Sequence, residues 1–532
     1  MTLTKMKRRV SPRVVTALAG LALVAAPARS SAQPADLDKL IPTDALVYVA
    51  IDGLTPLQGA VTQLLDAVMP GQGGAMAGMM FMSMQSQPGM SEIDAQKPIY
   101  FSFLASEKPL FALPLANPAD FEALLKTQPG AQDATVLAGQ GYSLLSYGPI
   151  DLDALKAGSA PKAPALKGAM RGFVDLPRLL EKYGPMIEPM MAMGAASAGG
   201  SAQVLQAMNE LKASGSRVDF ALTPSAAGLD FAFSAAPNGD GLLATIARSS
   251  APPATGSFLA AVPGDAAMAA SISLSPDALA RLATSKLTDA AARKEIESWS
   301  SRFAGVLTGS QAFGLSASAS GTPVFTQVMG VSDVQKARSI MKEMLDDSAL
   351  VSRLFAASMP GVSAKCSISA GTPVAGAETD EIKVDLTVAA DADTMTKTSA
   401  ETMKKLFAEP VRVAYAAGAI VSVAGPGAAE KLEQALKGLA AATPSSAAAK
   451  SVPAGHAIAG AANIGGILKA MSGSMPAGAM GPMAMLAAMP PGKEHFTFTV
   501  SPSGGAAEVH VNLPSGAIRE LVQPMMGGMG PR

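Results

Sequence analysis

The sequence predicts an α+β protein, a mixed α/β arrangement in which antiparallel-rich sheets are packed by helices and one module is duplicated in tandem. Three observations carry this. Val218–Ser234 aligns without a gap on Phe496–Asn512. Each segment reads as an alternating strand, a Pro-Ser turn and a second alternating strand. An apolar strand that runs into Asp, Ser or Asn and then into a helix recurs four times, at Asp52, Asp175, Ser275 and Asn463. Paired apolar runs, Ile99–Leu104 with Pro109–Leu115 and Val136 with Tyr142–Tyr147, imply antiparallel neighbours.

The elements follow in order. Residues 1–32 read as a secretory signal: Lys5, Lys7, Arg8, Arg9 and Arg13, then an apolar stretch from Val14 to Ala26, then a small-residue cleavage site at Ser30-Ser31-Ala32. That stretch is short for a membrane span, which needs about 20 residues. A first half, 33–250, begins with the strand Ala45–Ile51, matched by Ala266–Ile272 in a second half, 258–532. Leu110–Leu115 followed by Asn117–Lys126 matches Val324–Val331 followed by Ser332–Leu345. Tyr142–Tyr147 and a helix near Asp151–Lys156 match Ala419–Val423 and a helix over Ala428–Leu439. The second half carries an insertion near 346–408, read as a hairpin around Ile368 and Val384 plus a helix from Met395 to Phe407. Ser249–Gly256, with two prolines and a glycine, forms the seam. At the four strand–helix junctions, Asp, Ser and Asn can accept from the free N–H groups of a first helical turn. Pro177 and Pro276 sit where a missing N–H costs nothing.

The segments IPTDALVYVAIDGL, KPLFALPLANPADFEALLK, GYSLLSYGPIDLDALKAG and GAMRGFVDLPRLLEKY resemble exported bacterial proteins of domain of unknown function 3352. The resemblance covers most of the chain beyond the leader and implies secretion and an α/β repeat fold. It implies no activity.

Composition excludes several classes. Apolar residues make up 49% of the 532, charged residues 16%, and the formal net charge is −1. General disorder is ruled out. Cleavage of the leader removes six basic residues, leaving 35 against 42 acidic and a charge of −7. That disfavours nucleic acid and anionic lipid as partners. One Cys, Cys366, excludes a disulfide framework and a cysteine zinc site. The chain is expected to be exported, to the periplasm or beyond in a Gram-negative-type envelope, and monomeric.

Catalytic signatures are sparse. No HExxH, GxSxG, Walker-type or strand-linked GxGxxG motif occurs. His495 and His510 lie on the two arms of the last hairpin and could face one side, but partly exposed strand histidines are the plainer reading. Cys366 reads as an inert strand thiol, with no His nearby in sequence. Asp52 and Asp175 could pair for acid–base work, but their place at strand ends suits caps. Trp299, on a charged helix, reads as a packing residue. No catalytic residue, metal ligand or cofactor is assigned.

Methionine is the unusual feature. Of 31, seven fall in 69–90, four in 186–193, six in 471–489 and three in 525–529. The first three stretches follow the junctions at Asp52, Asp175 and Asn463, are Gly-rich and uncharged (Ala67–Ser91, Pro189–Asn209, Ala470–Gly492). Met can pad irregular packing. It can also form an adaptable apolar rim for a hydrophobic ligand, a partner protein of the envelope or a membrane surface. The rim residues are Met76, Met79, Met80, Met82, Met84, Met190, Met191, Met193, Met480, Met483 and Met485. The alternative is a periplasmic Cu(I)-binding protein, since thioethers select Cu(I).

Overall fold

The protein is described by a computed structural model. It describes residue 42 and residues 44–87, 89–128, 131–138, 141–147, 166–185, 216–237, 242–249, 256–285, 290–359, 361–392, 394–472 and 492–527. The leader, the expected helix near Asp151–Lys156, and the Met-rich residues Met190, Met191, Met193, Met480, Met483 and Met485 lie outside them. The chain is α+β, with antiparallel ladders throughout the described pairings. It divides into two compact units, Met1–Pro237 with Asn512–Arg519, and Asn238–Val511 with Glu520–Arg532. The division falls at Pro237–Asn238, upstream of the seam read from the sequence.

The first unit holds β1 (Ala45–Ile51), β2 (Ile99–Leu104), β3 (Pro109–Leu113), β4 (Ala134–Ala138), β5 (Ser143–Tyr147), β6 (Met170–Asp175), β7 (Arg217–Ser225) and β8 (Gly228–Ala235). Their spatial order is β4-β5-β3-β2-β1-β6-β7-β8. Helices α1 (Leu54–Val68), α2 (Gly73–Gln85), α3 (Pro118–Lys126) and α4 (residues 176–185) accompany them. On one sheet face, Val61 and Leu57 of α1 and Phe81 of α2 pack on Ile51, Met170 and Leu222. Phe121 of α3 packs on Phe111, Leu113, Val136 and Leu145. On the other face Tyr48 stacks on Tyr100 at 6.2 Å and on Phe173 at 5.6 Å, and Tyr142 meets Tyr100 edge-on at 5.9 Å.

The second unit holds β9 (Met268–Ser273), β10 (Leu307–Ala317), β11 (Pro323–Val331), β12 (Val362–Ala370), β13 (Glu378–Val388), β14 (Val411–Ala416), β15 (Ala419–Ala424), β16 (Ile458–Ala462), β17 (Phe496–Ser503) and most of β18 (Ala506–Pro514). Their order is β12-β13-β14-β15-β11-β10-β9-β16-β17-β18. Without β12 and β13 this reads strand for strand like the first unit. The ladder registers agree too: Val218 lies opposite Val174, and Phe496 opposite Ala462, at the same distance from the turn of their hairpins.

The helices of this unit are α5 (Leu242–Arg248), α6 (Pro276–Ser285), α7 (Ala290–Ala304), α8 (Val334–Asp346), α9 (Ser348–Ser358), α10 (Thr394–Leu406), α11 (Ala428–Ala441), α12 (Ala447–Ser451) and α13 (Ile464–Ser472). A last helix, α14 (Ser515–Gly527), closes the described chain. One sheet face carries Ala269, Ala312, Ala419 and Val421 under Leu432 and Ala435 of α11. By ladder position, Ala269, Ala312, Ala461 and Ala419 stand where the first unit has Tyr48, Tyr100, Phe173 and Tyr142. Small side chains there let a helix lie close to the sheet, and rings fill a wider gap.

Residues 348–406 hold α9, β12, β13 and α10. In the β12–β13 ladder Ile368 lies opposite Ile382, and Cys366 opposite Val384. Helix α9 was not expected. Asp347 caps it by accepting from the Leu350 N–H at 3.0 Å, and Leu350 is fully buried against Ile296 of α7.

The junction caps hold at three of four places. Asp175 accepts from the Arg178 N–H at 3.2 Å, Ser275 from Ala278 at 3.2 Å, and Asn463 from Gly466 at 2.8 Å. At Asp52 the expectation fails. The residue before α1 is Gly53, at φ +131°, and no side chain caps the helix. The Asp52 carboxylate instead accepts from the guanidinium of Arg171, 2.6 Å away, where Arg171 is 9% exposed. A buried arginine needs a partner, and the nearest carboxylate supplies it.

Candidate functional site

The site is built on α2, sequence GGAMAGMMFMSMQ. Its start is fixed by α1. A side chain on Gly73 would overlap the Leu65 backbone, so only glycine lets the chain turn back so closely. Asp66, at the end of α1, accepts from the Gly74 N–H at 2.5 Å and places negative charge at the new helix's positive end. Ala and Met favour the helix that follows.

The helix buries a narrow stripe. Ala77 is fully buried, Phe81 is 3% exposed, and Met84, one turn on, is half-buried between two apolar clusters. The remaining surface is methionine. Met76 and Met80 run along one side of the stripe at 42% and 40% exposure; Met79 and Met82 occupy the outer face at 64% and 67%. Ala75 is exposed beside them, and a side chain on Gly78 would meet nothing. No residue from Ala67 to Ser91 carries charge. Of the eleven rim residues, the structure gathers Met76, Met79, Met80 and Met82 on one exposed surface and turns Met84 inward.

The other candidates fall elsewhere. Asp52 is tied to Arg171, and Asp175 caps α4. A two-residue turn at Gly504-Gly505, both at positive φ, sets His510 opposite Thr499. His510 is therefore four residues, about 13 Å, from the level of His495 along the ladder. That spacing is too wide for two ligands of one metal ion, and His510 bonds Glu508 at 2.6 Å. Among the described residues no group of three His, Cys, Asp or Glu could hold a metal ion. Cys366 lies in β12, and burial pushes its thiol up, helped by Asp385, so the thiolate is scarce. Trp299 packs between two clusters with the Arg302 guanidinium 4.3 Å from its ring centre.

One polar cluster had no sequence signal. Asp380, fully buried in β13, accepts from Nε and Nη2 of Arg338 on α8 at 2.9 and 2.6 Å, with Lys342 at 3.9 Å. Arg338 also bonds Glu378 and lies 4.8 Å from the Tyr415 ring centre. Burial would raise the Asp380 pKa, but the Arg338 hydrogen bonds outweigh it and hold the carboxyl below its usual range. With its donors engaged, this arginine locks the β12–β13 hairpin to α8 rather than offering charge to a ligand.

Comparison with known proteins finds no match among family models, curated proteins or solved structures. No described helix is long and apolar enough to cross a membrane.

Proposed function

We propose that the protein works by binding rather than catalysis: an exported envelope protein, duplicated in tandem, whose α2 face docks on an uncharged lipid surface. The carrying observation is the outer face of α2, where Met79 and Met82 stand 64% and 67% exposed around Ala75 and Gly78. Large apolar side chains gathered in water mark a contact surface. Unbranched thioethers adapt to an irregular apolar partner such as packed acyl chains. The uncharged run from Ala67 to Ser91 favours neutral lipid over an ionic partner. At 13 residues, α2 is about 20 Å long, short of the roughly 30 Å bilayer core, which favours lying on the surface over crossing it.

The duplication is supported by the common strand order of the two units and by the gapless match of Val218–Ser234 to Phe496–Asn512, which lies in ladder register. The leader and the resemblance to domain of unknown function 3352 belong to the same reading, as do the Met stretches after Asp175 and Asn463.

Flotation with phosphatidylcholine vesicles tests it. The protein lacking residues 1–32 floats equally at low and high salt, and M79K/M82K stays at the bottom. Failure of the unaltered protein to float overturns the reading. Stabilisation by a fatty acid without flotation would indicate a soluble apolar ligand instead. The second reading, Cu(I) binding, is favoured by Met76, Met79 and Met80 at helical i, i+3 and i+4 spacing. It requires that Cu(I) raise the melting temperature and that M76L/M79L/M80L abolish the rise.

A further inference from the structure

We propose that α2 is a reversible oxidation site, at which Met76, Met79, Met80 and Met82 take up oxygen from a peroxide and turn the apolar face polar. The idea rests on the docking reading only for its biological consequence; the chemistry stands on the helix itself. A thioether sulfur donates an electron pair to one peroxide oxygen, the O–O bond breaks, and water leaves. Sulfur is oxidised by two electrons to the sulfoxide and the peroxide is reduced. A dithiol reductase reverses the step, releasing water and forming its own disulfide.

Reaction with a dissolved oxidant requires access to sulfur, and access differs sharply among the described methionines. Met79 and Met82 are 64% and 67% exposed and Met76 and Met80 42% and 40%, whereas Met170 and Met341 are 7% and 8% exposed. The reactive side chains are also separate from those that hold the helix. Ala77 and Phe81 pack α2 onto Leu57 and Val61, and the one methionine that helps them, Met84, is turned inward and is not among the four exposed sulfurs. Oxygen added to the outer face therefore leaves the core contacts intact, which a reversible switch needs and a damaged core methionine lacks. On a face without any charge, four sulfoxide dipoles are the dominant polar groups. The chain's one thiol, Cys366, is half-buried in β12 and does not compete at this surface.

The experiment is graded hydrogen peroxide treatment of the full chain without its leader, followed by peptide mass mapping and phenyl-resin retention. Met79 and Met82 should oxidise first, Met76 and Met80 next, and all four at least about tenfold faster than Met170 and Met341. The oxidised protein should elute earlier, with an unchanged far-ultraviolet spectrum, and return to its original position after treatment with the two methionine sulfoxide reductases. M76L/M79L/M80L/M82L should fold and keep its retention under peroxide. Equal oxidation rates for α2 and the buried methionines overturn the proposal, as does unfolding on oxidation of α2 or retention that peroxide leaves unchanged. Vesicle flotation is scored separately: its failure in the untreated protein counts against the docking reading alone.

Discussion

Gly460 lies directly opposite Phe498 across the β16–β17 ladder, and a side chain on Gly460 would overlap the phenyl ring. Gly172 and Phe220 lie opposite each other across β6–β7, where an added methyl carbon would come 2.6 Å from the ring edge and would overlap the Tyr48 backbone carbonyl of β1 as well. The ring covers the bare backbone of the strand beside it. Alanine at Gly460 forces the ring out, alanine at Gly172 must also push back the neighbouring strand, and overpacking of this kind costs about 1–3 kcal/mol. Gly59, in the exposed middle of α1, has open space around its Cα, so Gly59→Ala should stabilise by about 0.5–1 kcal/mol. Urea midpoints should move in opposite directions for the two kinds of variant.

Asp380 and Arg338 form a pair that tolerates joint loss better than single loss. Asp380→Asn takes away the buried carboxylate that accepts two of Arg338's hydrogen bonds, leaving the part-buried guanidinium only Glu378 as counter-charge, and should cost about 1.5–3 kcal/mol. The double variant Asp380→Leu/Arg338→Met should be closer to the unaltered protein than either single change. Because the folded carboxyl titrates below its usual range, its stabilisation is present above the unfolded pKa and disappears as pH falls through the folded value. Acid unfolding should therefore be shallower in the double variant.

His495 gives the opposite dependence. Burial holds its pKa below the ordinary value, against the pull of Glu520 and Glu494. The unfolded chain then takes up the proton more readily than the folded one. Stability falls as pH drops below about 6.5 and levels off under the folded pKa. His495→Phe should flatten the melting temperature between neutral pH and pH about 5.

The Asn463 cap serves two partners, accepting from the Gly466 N–H at 2.8 Å and donating to the Glu494 carbonyl at 2.9 Å. Asn463→Ala should cost about 1–2 kcal/mol. Asp52→Asn should be costly for another reason, the loss of Arg171's charge partner rather than of a cap. Thermal melts of Asn463→Ser and Asp52→Ser separate the roles: serine restores a cap but not an ion pair.

Local pattern made much of the fold legible. The gapless match of Val218–Ser234 to Phe496–Asn512 is a ladder register written twice, because alternation and a two-residue turn leave one pairing. What stayed hidden depends on distant chain. Arg171 sits 119 residues from Asp52 and Arg338 42 from Asp380, so neither pair leaves a local pattern. The four rings over β1, β2, β5 and β6, and the alanines in the same ladder positions of the second unit, are interchangeable to a hydrophobicity count but not to the layer above them. On α2, spacing showed a methionine helix; its exposure follows from Ala77 and Phe81 being the residues that face α1, which sequence alone leaves open.

The most direct test is carbon-13 methyl labelling of methionine, with the methyl resonances followed as phosphatidylcholine bicelles are added. The methyls of Met79 and Met82 should shift and broaden first, those of Met76 and Met80 with them, while Met170 and Met341 stay in place. Unmoved α2 methyls at saturating lipid would contradict the account.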